Sequence, residues 1–168
     1  MDNGNAMLLD GGEGTVGQLL RSWRSTLPSI GSAIEECRSR LGGIKAVCRS
    51  HPHADRHLGL LRLLSEMAAS CGSNDPLALM APRDMFAFLE EYRWVAPEID
   101  GSYIPVDCYD MVHGRRNPMG DRLYSDLGVA HCVPMPVAHY RRSYAAAGEG
   151  TPFGSAACGG DCRPSSSR

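Results

Sequence analysis

The sequence predicts an α/β domain of layered type, and three observations carry that expectation. Short apolar runs bounded by glycine, proline or polar clusters alternate with longer stretches of helical period, in the order strand, helix, strand, helix. The composition, 43% hydrophobic and 21% charged, is that of a chain that buries a core. No run approaches the roughly 20 apolar residues that cross a bilayer. The 168 residues suffice for one domain with a substantial interior.

Met7 to Leu9 form a short apolar run ending at Asp10 and a glycine turn, as a buried strand would. Thr15 caps a helix to about Ser25, with Val16, Leu19, Leu20 and Trp23 on one face. Pro28 and Ser29 open a second helix through about Leu41, which Gly42-Gly43 ends. Ile44 to Cys48 reads as a buried strand, and a helix over about Leu58 to Ser70 follows, its apolar face supplied by Leu60, Leu61, Leu63, Leu64 and Met67. Leu77 to Met80 is the next strand, and Pro82 starts a helix through about Tyr92, with Met80, Met85, Phe86 and Phe88 as core. Tyr103 to Cys108 is a strand that Pro105 places at an edge or bulge. A loop over residues 113–120, a short helix at 121–127 and a strand over 129–137, interrupted by Pro134 and Pro136, complete the order. From Ala145 the chain is Gly, Ser, Pro and Ala, too poor in apolar surface to offset its own ordering entropy.

The formal net charge of -2 gives no global basic signal for nucleic acid. The polar start, Met1 to Ala6, has neither the pattern of a secretory signal nor that of a transit peptide, so an intracellular location is expected. Seven cysteines at irregular spacing, with no CxxC pair, argue for free thiols rather than a disulfide framework or a zinc finger.

Chemistry concentrates just past the strand at Ile44 to Cys48. His51, His53 and His57 fall within seven residues, with Asp55 among them. Residues two apart near a strand end point the same way, so His51, His53 and Asp55 are expected to converge. Imidazoles with a carboxylate suit zinc and related divalent ions.

The segment Ser50-His51-Pro52-His53-Ala54-Asp55-Arg56-His57-Leu58-Gly59 resembles the metallo-β-lactamase signature His-x-His-x-Asp-His, followed by a glycine. Leu8-Leu9-Asp10-Gly11-Gly12-Glu13-Gly14-Thr15-Val16-Gly17-Gln18-Leu19 resembles the Leu-Leu-Asp-Cys-Gly-Glu-Gly-Thr-x-Gly-Gln-Leu segment of long-form tRNase Z, with Gly11 in place of its cysteine. Pro136 to Tyr144 resembles the block whose histidine, here His139, ligates zinc. Gly160-Asp161-Cys162-Arg163-Pro164 resembles Gly-Asp-Thr-Arg-Pro, whose aspartate, here Asp161, bridges two metals. The resemblance spans residues 8 to 164. It implies a partial αββα sandwich over residues 1–144 with a Gly/Ser/Pro-rich tail, expected to be disordered, over 145–168. The implied activity is zinc-dependent endonucleolytic removal of 3′ trailers from precursor tRNA, in the nucleus or mitochondrion.

That resemblance gives one zinc the ligands His51, His53, His139 and Asp161, with Asp55 as the catalytic carboxylate beside a second metal position. Asp10 and Glu13 become supporting residues: Asp10 orients the histidine loop and Glu13 sits in a turn packed against it. The family histidine after Asp55 is Arg56 here. A guanidinium has no lone pair to donate, so the second position keeps only Asp55 and Asp161. His57 replaces it only if the loop slips by one residue. Arg56, Arg141 and Arg142 are candidate phosphate contacts, whereas the cluster from His113 to Asn117 reads as solvated surface. Further family motifs have no counterpart before Arg168, so the chain is expected to be a fragment. A non-catalytic metal- or RNA-binding remnant of the family is the alternative to an active hydrolase.

Overall fold

The protein is described by a computed structural model, which places residues 5–24, 30–71, 75–115, 125–127, 129–138, 143–150 and 156–158. A four-stranded parallel sheet runs β1 (Ala6–Leu9), β2 (Ile44–Cys48), β3 (Leu77–Ala81), β4 (Tyr103–Asp107) in spatial order. Parallel neighbours need crossovers, and helices supply them: α1 (Thr15–Arg24) with α2 (Ile30–Gly42), then α3 (Ala54–Cys71), then α4 (Arg83–Tyr92). A short α5 (Cys108–Val112) leads on to a second, antiparallel sheet of β5 (Val129–Pro136), β6 (Tyr144–Gly150) and β7 (Ala156–Cys158).

Strand alternation sorts side chains into two cores. Along β3, Leu77, Leu79 and Ala81 join Leu60, Leu63, Leu64, Met85 and Leu89 beneath the helices. Ala78 and Met80 turn the other way, against Cys48, Val106, Cys108, Cys132 and Tyr144, between the two sheets. The layers are therefore helix, sheet, sheet. Leu79 and Met80 are fully buried, as a sheet covered on both faces requires. Pro105 pairs with Leu79 on β4, the edge strand, where its missing N–H costs no ladder bond on the outer side.

Two differences from the sequence reading matter. Helix α3 begins at Ala54, not near Leu58, so Asp55, Arg56 and His57 occupy its first turn rather than a loop. A carboxylate is favoured there by the amide dipoles at a helix start. Consecutive helix positions project about 100° apart, so positions 56 and 57 leave the helix in different directions. The second difference is β6 and β7, which occupy a stretch expected to lack elements. β6 pairs with β5 from Pro136↔Tyr144 to Val129↔Gly150, and β7 pairs with β6. Backbone ladders of this kind leave little trace in a run of alanine and glycine. Among the described residues no helix is long and apolar enough to cross a membrane.

Candidate metal centre

The carboxyl ends of β1 and β2 meet at the histidine loop. Past Leu9, Asp10 takes a left-handed backbone with φ 55°, a conformation that Asp tolerates better than most residues. Its N–H continues the ladder to Cys48 O at 2.8 Å. Its carboxylate is thereby brought to the first residues after β2.

That carboxylate organises the loop. Oδ1 accepts the Ser50 N–H at 2.9 Å and lies 3.7 Å from a guanidinium nitrogen of fully buried Arg49. Oδ2 accepts the Ser50 hydroxyl at 2.7 Å. Ser50 Oγ also lies 2.7 Å from His51 Nδ1. A hydroxyl has one proton, and an ionised carboxylate beside a buried guanidinium has none to give. Ser50 therefore donates to Asp10 and accepts from Nδ1–H of His51. The imidazole is left as the Nδ1–H tautomer, with its lone pair on Nε2. This is how an outer carboxylate and hydroxyl prepare a histidine to ligate a metal. On its other side Ser50 is pinned by its carbonyl, which accepts the Tyr144 N–H at 2.8 Å.

His51 is 7% exposed, and the His53 ring stands edge-on to it with centroids 4.5 Å apart. The two imidazoles expected to converge thus do meet. Two imidazoles at a rigid strand end, one with its tautomer set, are donors that zinc accepts. Among the described residues, no group of three or more His, Cys, Asp or Glu stands ready to hold a metal. Asp55, Arg56 and His57 are placed by their backbone in the first turn of α3. His139, Arg141, Arg142 and Asp161 lie outside the described residues. Glu13 is exposed in the turn after β1.

Glycines lock the two motifs together. A Cβ on Gly59, in α3, would fall 1.9 Å from the Gly12 carbonyl oxygen and 2.7 Å from that of Gly11. The helix that follows the histidines therefore packs directly on the backbone of the turn that follows Asp10. Sequence reasoning identified Asp10 as support but missed Ser50 and Arg49 as the groups through which it acts. The signal was the bare adjacency of Arg49-Ser50 to His51.

No protein-family model matches the chain. A Drosophila melanogaster protein named "Ribonuclease Z, mitochondrial" is 30% identical over 138 residues, 82% of this chain and 16% of that protein. The "Zinc phosphodiesterase ELAC protein 2" of Gorilla gorilla gorilla is 35% identical over 128 residues, 73% of this chain and 14% of that protein. The chain thus spans about a sixth of the length of these curated relatives. Among solved structures, a long-form RNase Z from yeast superposes with TM-score 0.66 at 17% identity, covering 86% of this chain and 22% of that one.

Proposed function

The chain belongs to the tRNase Z family of the metallo-β-lactamase fold, matching its relatives over part of their length, and on that premise we propose that its histidine site serves zinc-dependent hydrolysis of RNA phosphodiesters, with 3′-extended precursor tRNA as substrate. One observation carries the reading: the Asp10–Ser50–His51 relay, which orients a buried imidazole beside a second imidazole.

In this reading His51 and His53, with His139 and Asp161, hold one zinc. Asp55, with Asp161, would be a carboxylate left for a second metal. Bound zinc supplies Lewis acidity, acidifying water and polarising a phosphoryl oxygen. The chain's own residues provide the rest. Asp10 and Ser50 keep the proton on His51 Nδ1 and orient the ring. The Gly59–Gly12 contact fixes the start of α3, and with it Asp55, against the β1 turn. Arg56 stands where the family pattern has a ligand, and as a permanent cation it suits a non-bridging phosphate oxygen. Arg141 and Arg142, adjacent in sequence to His139, suit neighbouring phosphates. The name of the Drosophila relative supports a mitochondrial location for this chain.

A second reading, zinc and RNA binding without cleavage, is favoured by Arg56 alone. Zinc content per chain, measured together with cleavage of a 3′-extended precursor tRNA, separates the two. Hydrolysis predicts about one tightly held zinc and trailer release, both lost in His51→Ala. Zinc held without cleavage selects the binding reading, and absence of both sinks the proposal.

A further inference from the structure

A second cleft opens on the same edge of the parallel sheet as the histidines. Its volume is about 360 Å³, and Arg83, Tyr109, Arg115 and Tyr144 line it. Arg83 follows the end of β3, and Tyr109 follows the end of β4. The histidines follow the end of β2, so one to two strand spacings, about 5–10 Å, separate the two places. Tyr144 joins them: it borders the cleft, and its N–H donates to the carbonyl of Ser50, the residue before His51. Ligands of open parallel sheets lie in the crevice outside these carboxyl ends.

The chemistry of the cleft is planar and mixed in charge. Tyr109 and His113, one helical turn apart, stack with ring centroids 4.0 Å apart at 29°. The Arg115 guanidinium carbon lies 5.8 Å from the Tyr109 ring centre. Arg83 Nε donates to Asp107 at 2.8 Å, and Arg115 donates to Asp110 at 3.0 Å. Two guanidinium groups thus face two carboxylates. Both guanidinium groups already donate to a carboxylate, which weakens their pull on an isolated phosphate. The cleft offers instead flat π and guanidinium faces with both donors and acceptors at the rim. An unpaired nucleobase has the matching character, a planar ring edged with donors and acceptors, and unstacked bases are read in this manner by RNA-binding proteins. Tyr109 is 42% exposed, so an incoming ring has access to it.

We propose that the cleft between Arg83, Tyr109, Arg115 and Tyr144 binds one unpaired base of the RNA strand that passes the histidine site. The inference rests on the RNA-hydrolase reading for its ligand, and the test separates the two. The full chain, kept free of metal by a chelator so that nothing is cut, is titrated into a labelled single-stranded hexaadenylate. A set of hexamers with one abasic position each follows. Loss of the base at one position is expected to weaken binding by about 5- to 100-fold, the range for removing one base–aromatic stack. Tyr109→Leu should bind the intact hexamer as weakly as wild type binds that abasic one and should be indifferent to the abasic position. Tyr109→Phe should retain wild-type behaviour. Equal binding of all hexamers to the wild-type chain overturns the proposal without needing any variant. So does competition by inorganic tripolyphosphate as strong as that by nucleoside monophosphates, which would make the cleft a phosphate site. Base dependence at Tyr109 in a chain that binds no zinc upholds this inference while sinking the hydrolase reading. Zinc-dependent cleavage without base dependence does the reverse.

Discussion

Replacing Ser50 by alanine removes the hydroxyl that joins Asp10 to His51. Nδ1 of His51 loses the Ser50 hydroxyl, and at 7% exposure water does not freely replace it. The ring is then released to either tautomer and to rotation about its own bond. A hydrogen bond within a charged network is worth about 1.5–3 kcal/mol, which at 1.4 kcal/mol per tenfold corresponds to roughly 10- to 100-fold in zinc affinity. Loss of outer partners of metal-bound histidines typically costs the same 10–100-fold. Competition with a chromophoric chelator measures the affinity, and ¹⁵N shifts of the His51 imidazole in the metal-free chain report the tautomer. Ser50→Ala should weaken zinc by that factor and move the nitrogen shifts toward a tautomer mixture, while Ser50→Thr should preserve both. Asp10→Asn sharpens the reasoning. Asparagine tolerates the positive φ, but its amide donates to Ser50 Oγ where the carboxylate accepted. Ser50 is then free to donate to Nδ1, which favours the Nε2–H tautomer and occupies the lone pair that zinc needs. Zinc affinity and imidazole shifts unchanged from wild type in both variants would refute the relay.

Other consequences are as direct. Gly59→Ala places a methyl group 1.9 Å from a backbone oxygen and should lower the unfolding free energy by about 3 kcal/mol in a urea titration. By contrast Gly17→Ala, on α1, meets only the flexible end of Arg21 at 3.7 Å and should raise it by about 0.5–1 kcal/mol. Burial between the sheets pushes the Cys108 thiol up from 9.0 to about 12. The folded state therefore holds that proton above the pH at which the unfolded chain releases it, so stability falls as pH rises from 9 toward 12. Alkaline denaturation followed by circular dichroism, compared with Cys108→Ala, checks the sign. Arg56→His restores the family pattern and should raise zinc content toward two per chain and increase phosphodiesterase activity; unchanged values would remove position 56 from the argument.

The parallel sheet was legible because each of its strands carries its own signal. Leu77 to Met80 is apolar on both faces between breakers, and Ile44 to Cys48 nearly so, which is what burial under helices on one side and a second sheet on the other demands. Pro105 announced an edge. The antiparallel sheet was only half legible. β5 had an apolar pattern, but β6 is drawn from Ala145-Ala146-Ala147 and glycines, and its partners lie in another strand. Pairing energy of that kind belongs to two segments at once, and no local pattern reports it. The start of α3 was misplaced for a related reason: polar His-x-His-x-Asp spacing reads as loop, although Asp55 is well suited to a helix's first turn.

At the site, residue types were legible and connections were not. Histidines spaced two apart after a buried strand announced that His51 and His53 would meet, and they do. Nothing in Arg49-Ser50 announced that a hydroxyl 40 positions from Asp10 would carry a proton's direction from a carboxylate to an imidazole. The aromatic cleft was hidden in the same way. The sequence has no interleaved aromatic and basic run, yet β4, α4 and α5 bring Arg83, Tyr109 and Arg115 to one crevice. Both assemblies stand at carboxyl ends of parallel strands, where chain segments remote in sequence are adjacent by construction. Metal chemistry can be written locally because a chelate needs ligands at short spacing. Orientation of those ligands, and recognition of what they act on, is distributed across the sheet edge, so it becomes readable only once strand order is known.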